Sequence, residues 1–225
     1  MSLCRGAPDT GGPTPDQQRQ QQGSIWLGHG EILAAPDAAR GSFLSGGVWV
    51  SIGCFSAGTP ARSRYIDWLR HSRAGNGGIA VDRLEHSLPP PGQRPFISAL
   101  AKTALANPSG PLAVFGHIDL AWLYGFIDLS DPRRTRADHF YRLAEQLCRG
   151  RRFGIAVEDF QRARRALDGE LLDREVKAWD RLRRPAPDRA RSRLRVALTR
   201  EDLRGYVLLG DPASRVTELD SASAR

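Results

Sequence analysis

Val48-Trp49-Val50-Ser51-Ile52 is a β-branched and aromatic run, and it ends in Gly53-Cys54. A near-continuous apolar segment of this length fits a strand buried on both faces of a parallel sheet. The glycine after it permits a tight exit turn, and the cysteine is a side chain able to do chemistry. The same grammar recurs on either side. Ile25-Trp26-Leu27 precedes Gly28-His29-Gly30, Leu112-Ala113-Val114-Phe115 precedes Gly116-His117, and Tyr206-Val207-Leu208-Leu209 precedes Gly210-Asp211-Pro212. Open α/β sheets bind ligands at the carboxyl ends of their strands. The pattern therefore predicts His29, Cys54, His117 and Asp211 on one edge of a mostly parallel sheet with flanking helices, an α/β fold.

Helical periodicity fills the intervals. Helices are predicted over 64–73, over 95–106 up to the breaker Asn107-Pro108-Ser109-Gly110, over 137–149 with Gly150 as cap, and over 153–168 and 170–184. Pro185-Ala186-Pro187 is expected to end the helical stretch. Residues 1–23, with the run Gln17-Gln18-Arg19-Gln20-Gln21-Gln22, are predicted to be a disordered tail. Residues 24–215 are expected to form one α/β domain with 137–184 as a basic helical insert, and 216–225 a flexible tail.

The formal net charge of +8 is concentrated. Residues 133–204 hold 21 Lys and Arg against 12 Asp and Glu, a net +9, and the rest of the chain holds 12 against 13, a net −1. The acids are interleaved with the bases, as in a solvated helical face with internal pairs. An acidic or nucleic-acid partner is the alternative reading. No apolar stretch is long enough to cross a bilayer: 111–127 is interrupted by His117 and Asp119. Met1 to Gln22 carries no secretory pattern. Cys4, Cys54 and Cys148 are odd in number and widely spaced, which excludes a disulfide framework and points to a reducing, cytoplasmic setting.

Cys54 and His29 carry the chemical expectation. A thiol nucleophile needs a thiolate, a base or cation that sustains it, and N–H donors for the oxyanion. A cysteine at a turn just after a parallel strand and a histidine between two glycines after a neighbouring strand suit those roles. Ser56, Ala57 and Gly58 are small and are expected to leave room for a substrate. A zinc site is disfavoured, because neither Cys-x-x-Cys nor a paired histidine spacing occurs. Taken singly, each residue also reads as ordinary: a cysteine as a small buried hydrophobe, a histidine as a structural side chain.

The segments Gly28-His29-Gly30 and Gly53-Cys54-Phe55-Ser56-Ala57-Gly58-Thr59-Pro60 resemble the His-Gly and Cys signatures of caspase-like cysteine peptidases, in their bacterial gingipain-like and CHAT-like branch. The segments 95–100, 112–122 and 205–212 are similar to that branch in the same order, so the resemblance covers about residues 24 to 215. It implies a caspase-haemoglobinase-like three-layer sandwich with a six-stranded sheet, N-terminally truncated, because the family's two β–α units before the His-Gly strand have no counterpart here. It implies Cys54 as nucleophile, His29 as general acid/base, and the backbone N–H groups of Gly30 and Cys54 as oxyanion donors. Asp119, Trp122 and His117 are placed at the substrate pocket, where the Asp119 carboxylate suits a basic side chain. Glycine soon after the cysteine belongs to the caspase pattern, and Phe55-Ser56 stands there instead. No cofactor or metal is expected. The expected partners are a protein or peptide substrate and a regulatory protein or domain, with no membrane and no nucleic acid. An inactive scaffold of the same fold and a nucleic-acid-binding module built on the basic helices are the alternatives.

Overall fold

The computed structural model describes residues 14–71, 77–122, 125–128, 131–135, 137–179 and 187–216. It is a mixed α/β structure in two compact units. One comprises the chain up to Ala121 together with Tyr206–Gly210, and the other Trp122–Gly205 and the chain from Asp211.

The first unit is organised around strand β6 (Ala113–His117), all five residues of which are buried. β3 (Val48–Val50) pairs with it in parallel, Val48 opposite Ala113 and Val50 opposite Phe115. On its other side β9 (Tyr206–Gly210) runs antiparallel, Tyr206 opposite His117 and Gly210 opposite Ala113. The sheet order is β3-β6-β9, with β3 and β9 at its edges. The sheet is therefore mixed, where a mostly parallel one was expected. The antiparallel sense of β9 also moves Asp211. It leaves the sheet beside Ala113, four residue steps of roughly 3.3 Å from the His117 end.

Ile25-Trp26-Leu27 is not a strand of this sheet. β1 (Ile25–Gly28) forms an antiparallel hairpin with β2 (Glu31–Leu33), a separate two-stranded sheet. Its inward residues Ile25 and Leu33 pack with Phe43 and Trp49 on a cluster of Ala38, Leu100 and Ala104. Ala38 comes from the short α2 (Ala35–Ala38), and Leu100 and Ala104 from α5 (Ala99–Ala106). The i, i+4 spacing of Leu100 and Ala104 gives α5 one buried face. β4 (Gly58–Thr59) and β5 (Phe96–Ile97) make a second small antiparallel pair leading into α5. α3 (Ile66–His71) falls inside the predicted 64–73 helix, and α4 (Gly77–His86) was not predicted. At the start, Pro15–Gln21 forms a helix, α1, where a disordered tail was expected. Thr14 and Gln17 close a reciprocal capping box at its N-terminus. Residues 1–13 and 217–225 lie outside the described residues.

The second unit is helical, apart from the antiparallel pair β7 (Ile127–Asp128) and β8 (Asp131–Thr135). α6 (Asp138–Cys148) buries Phe140, Leu143 and Leu147, close to expectation. α7 runs unbroken over Phe153–Trp179, replacing two predicted helices, and α8 (Pro187–Arg204) begins at the proline read as a terminator. The core is aromatic: Phe126 stacks on Phe140 at 4.2 Å, and Phe140 meets Phe160 edge-on at 5.2 Å. The basic surface is paired along the helices, Arg149 with Glu145, Arg162 with Glu158, Arg174 with Glu170 and Lys177 with Asp173, all at i, i+4. No helix among the described residues is long and apolar enough to cross a membrane.

Two titratable groups are set into this unit with opposite senses. Asp202 on α8 is fully buried, and its carboxylate accepts the backbone N–H groups of Trp122 at 2.7 Å and Gly125 at 2.9 Å. Burial pushes its pKa up to about 7, against the pull of those two donors. Burial lowers His139 on α6 to about 4, with Asp138 opposing. A raised carboxyl binds its proton more tightly in the native state than in the unfolded chain. Its contribution is complete below about pH 4 and lost as pH rises through about 7. A lowered imidazole contributes above its ordinary pKa of about 6.5 and loses that contribution as pH falls toward 4. At about 1.4 kcal/mol per pKa unit, the two slopes oppose one another between pH 4.5 and 6.5. We expect Asp202→Asn to leave stability that rises with pH over that range, and His139→Phe to leave stability that falls. Urea unfolding at three pH values measures both, and slopes of the same sign would contradict the assignment.

Candidate active site

The Cys54 turn is built by β3 and β6 together. Beyond Val50 the ladder continues, Ser51 N–H donating to Phe115 O at 2.8 Å. The chain then turns back through Gly53, Cys54 and Phe55. Phe55 has φ 56°, a left-handed backbone that a bulky residue adopts only under constraint, at a cost of roughly 1–3 kcal/mol. Its side chain is 1% exposed. Its N–H donates to Asp119 O at 2.9 Å, and Ala57 N–H donates to His117 O at 2.9 Å. The Ser56 hydroxyl closes the turn, donating to Ser51 O at 3.2 Å and accepting from His117 N–H at 2.9 Å. Cys54 stands at the apex, half-buried and outside any disulfide, its Sγ 3.7 Å from Ala121 O.

Gly116 is what lets this turn lie so close to β6. A Cβ at that position would stand 2.8 Å from Ser56 Oγ and 3.2 Å from the Ala57 Cβ. Ser56, Ala57 and Gly58 are all buried against the sheet, so they fill space where an opening for substrate was expected.

The structure brings Cys54, His117 and Asp119 to one end of the sheet. His117 is 0% exposed, its ring edge-on to Tyr206 at 4.7 Å. Asp119 N–H donates to its Nδ1 at 3.0 Å, and the same nitrogen lies 2.8 Å from Asp119 O. The Asp119 carboxylate is 5% exposed and accepts Arg64 N–H at 3.1 Å through one oxygen and Leu120 N–H at 2.8 Å through the other. These geometries give both residues structural work within the loop. Trp122 belongs to the second unit, with its N–H on Asp202.

The structure does not place His29 or Asp211 at this edge. His29 and Gly30 are the two central residues of the β1–β2 hairpin turn, with φ 48° and 86°. Positive φ at both positions is the geometry of the two-residue turn that suits strand twist. The imidazole is exposed, on a sheet not hydrogen-bonded to that of Cys54. Asp211 is exposed and accepts Ala213 N–H at 2.8 Å, a local turn contact. Ser51, Ser56 and Gly116 carry the turn's geometry, and only Gly116 was legible as punctuation. The two serines matter through hydrogen bonds that depend on the fold. Among the described residues, no group of three or more His, Cys, Asp or Glu side chains is arranged to hold a metal ion.

A scan against protein-family models finds no match for the chain, and comparisons with curated proteins and with solved structures find none either.

Because Ser56 and Ala57 of the Cys54 turn stand where a Cβ at Gly116 would go, Gly116→Ala is expected to destabilise the first unit by about 1–3 kcal/mol through overpacking. Equilibrium urea unfolding followed by circular dichroism checks this, and wild-type stability in the variant would show that the turn yields freely.

Proposed function

We propose that this chain is a cysteine-peptidase-like domain in which Cys54 is the nucleophile. The observation that carries this reading is the constrained turn. A thiol at the apex of a strand-end loop, beside a left-handed Phe55 and stitched to the central strand by Ser56, is held in a fixed place at the end of a sheet. In the proposed reaction the Cys54 thiolate attacks the scissile carbonyl, the C–N bond breaks, and a thioester forms. The His29 imidazolium, carrying the proton taken from the thiol, gives it to the departing amine, and water then hydrolyses the thioester and restores the thiol. Backbone N–H groups of Gly30 and Cys54 are the proposed oxyanion donors. Asp119 and His117 remain the proposed substrate-pocket residues, with a protein or peptide as substrate and a regulatory protein or domain as a further partner. The finer architecture proposed is a caspase-haemoglobinase-like three-layer sandwich, supported by the parallel β3–β6 pair whose ends carry Cys54 and His117.

A second reading has its own observation. His29 occupies a hairpin turn on a separate sheet, which favours an inactive scaffold of the same architecture, kept for binding another protein. The internal pairing of the helical arginines gives the nucleic-acid reading no comparable support.

Thiol reactivity separates the two. Under the peptidase reading, Cys54 alkylates with iodoacetamide faster than the exposed Cys148 at neutral pH, and His29→Ala lowers the Cys54 rate toward that of Cys148. Peptide mapping by mass spectrometry reads both sites in one sample. Equal rates in the wild-type protein, unmoved by His29→Ala, sink the peptidase reading and leave the scaffold.

A further inference from the structure

Phe55 is held from two directions. Asp119 O receives its N–H, and Gly23 lies directly against its carbonyl oxygen. Gly23 has φ 88°, and a Cβ there would stand 2.8 Å from Phe55 O and collide with Ser98 Oγ. That hydroxyl is fully buried at the start of α5 and makes no hydrogen bond among the described residues, so the bare glycine is what covers it. Only a residue without a side chain fits, in both conformation and space.

The segment that delivers Gly23 to this position is α1, and it docks through polar contacts at the surface. Arg19 donates to Arg94 O at 3.0 Å, and its guanidinium lies 4.8 Å from the centre of the Phe96 ring. Gln22 Nε2 donates to Ser87 O at 2.8 Å. Within the helix itself the buried residue is Gln18. An element held by a few polar contacts belongs to the parts of a fold that open at low cost. Phe55, in contrast, keeps its left-handed backbone only while its surroundings over-determine it. The loose element and the strained residue touch at Gly23.

We propose that α1 and Gly23 form a positioning strap for the Cys54 turn: docked, the strap holds Phe55 in its left-handed backbone and Cys54 in its reactive geometry, and released, it lets the turn relax and the thiol lose reactivity. The inference deepens the proposed function and rests on Cys54 being the reactive group of that site. It makes Arg19, Gln22 and Gly23 positioning residues that act through Phe55, and it makes α1 the handle by which a regulatory partner would switch the thiol.

The test is iodoacetamide alkylation of the full chain, with Cys148 as the internal reference. In the Arg19→Ala/Gln22→Ala double variant, the Cys54-to-Cys148 rate ratio is expected to fall several-fold, and Gly23→Ala is expected to lower it as well. Arg19→Lys keeps a cation over Phe96 and a donor for Arg94 O, so it is expected to retain the wild-type ratio. Merely weakened folding of the first unit would expose the half-buried Cys54 and raise the ratio, because Cys148 is already exposed and belongs to the other unit. A ratio equal to or above wild type in the double variant overturns the strap. The outcome is separable from that of the peptidase reading. If His29→Ala leaves Cys54 unchanged while the double variant slows it, the strap stands and the general-acid/base role falls. The reverse pattern removes the strap alone.

Discussion

The backbone of Ala113–His117 lies where water does not reach, so each of its amide and carbonyl groups needs a partner from the chain. That requirement organises the first unit. β3 supplies partners along one side, β9 along the other, and past the end of β3 the returning turn supplies two more through Ser56 Oγ and Ala57 N–H. The Cys54 loop is thus part of the pairing of the central strand. Its position follows from hydrogen bonds that the buried strand demands, and for that reason a strained Phe55 can persist within it.

The second unit solves a different problem. Its helices are heavily charged, and exposed charges are paired along the helix axis, among them Arg149 with Glu145, Arg174 with Glu170 and Lys177 with Asp173. Among the described residues Asp202 is buried and His139 is half-buried. Asp202 is held by two backbone donors, the N–H groups of Trp122 and Gly125. His139 lies against the Phe140 and Phe160 rings, in surroundings that favour its neutral form. One group resists losing a proton and the other resists gaining one, so the unit is buffered against modest changes of acidity.

The strands of the main sheet were legible because buried strands read as apolar runs, and Val48–Val50, Ala113–Phe115 and Tyr206–Leu209 are such runs. What a run cannot express is its partner or direction. Ile25-Trp26-Leu27 satisfies the same criterion, yet only Ile25 faces the core, while Trp26 and Leu27 are exposed. The glycines around His29 were equally ambiguous, since a strand exit and a two-residue hairpin turn use the same punctuation. The helices expected over 153–168 and 170–184 are one, because the isolated Gly169 between them lowers helix stability without ending a helix held by packing. Pro187 illustrates the opposite case, because proline is as much at home in the first turn of a helix as beyond its end. In α1 the glutamine-rich composition masked a local signal, the Thr14 and Gln17 capping pair. The Cys54 turn was found from its glycine and its strand, but its stitching through Ser51 and Ser56 depends on which strand lies alongside.

β9 has a consequence for how the molecule is made. Its partner strand ends at His117, and the whole of residues 122–205 intervenes before Tyr206 emerges to cover the other side of β6. During synthesis the central strand must wait with one edge unpaired while residues 122–205 are translated. Contacts of such long sequence separation slow folding and prolong the exposure of unpaired edges. The order of the chain therefore leaves the Cys54 turn without a finished sheet beside it until residues 206–210 have been made.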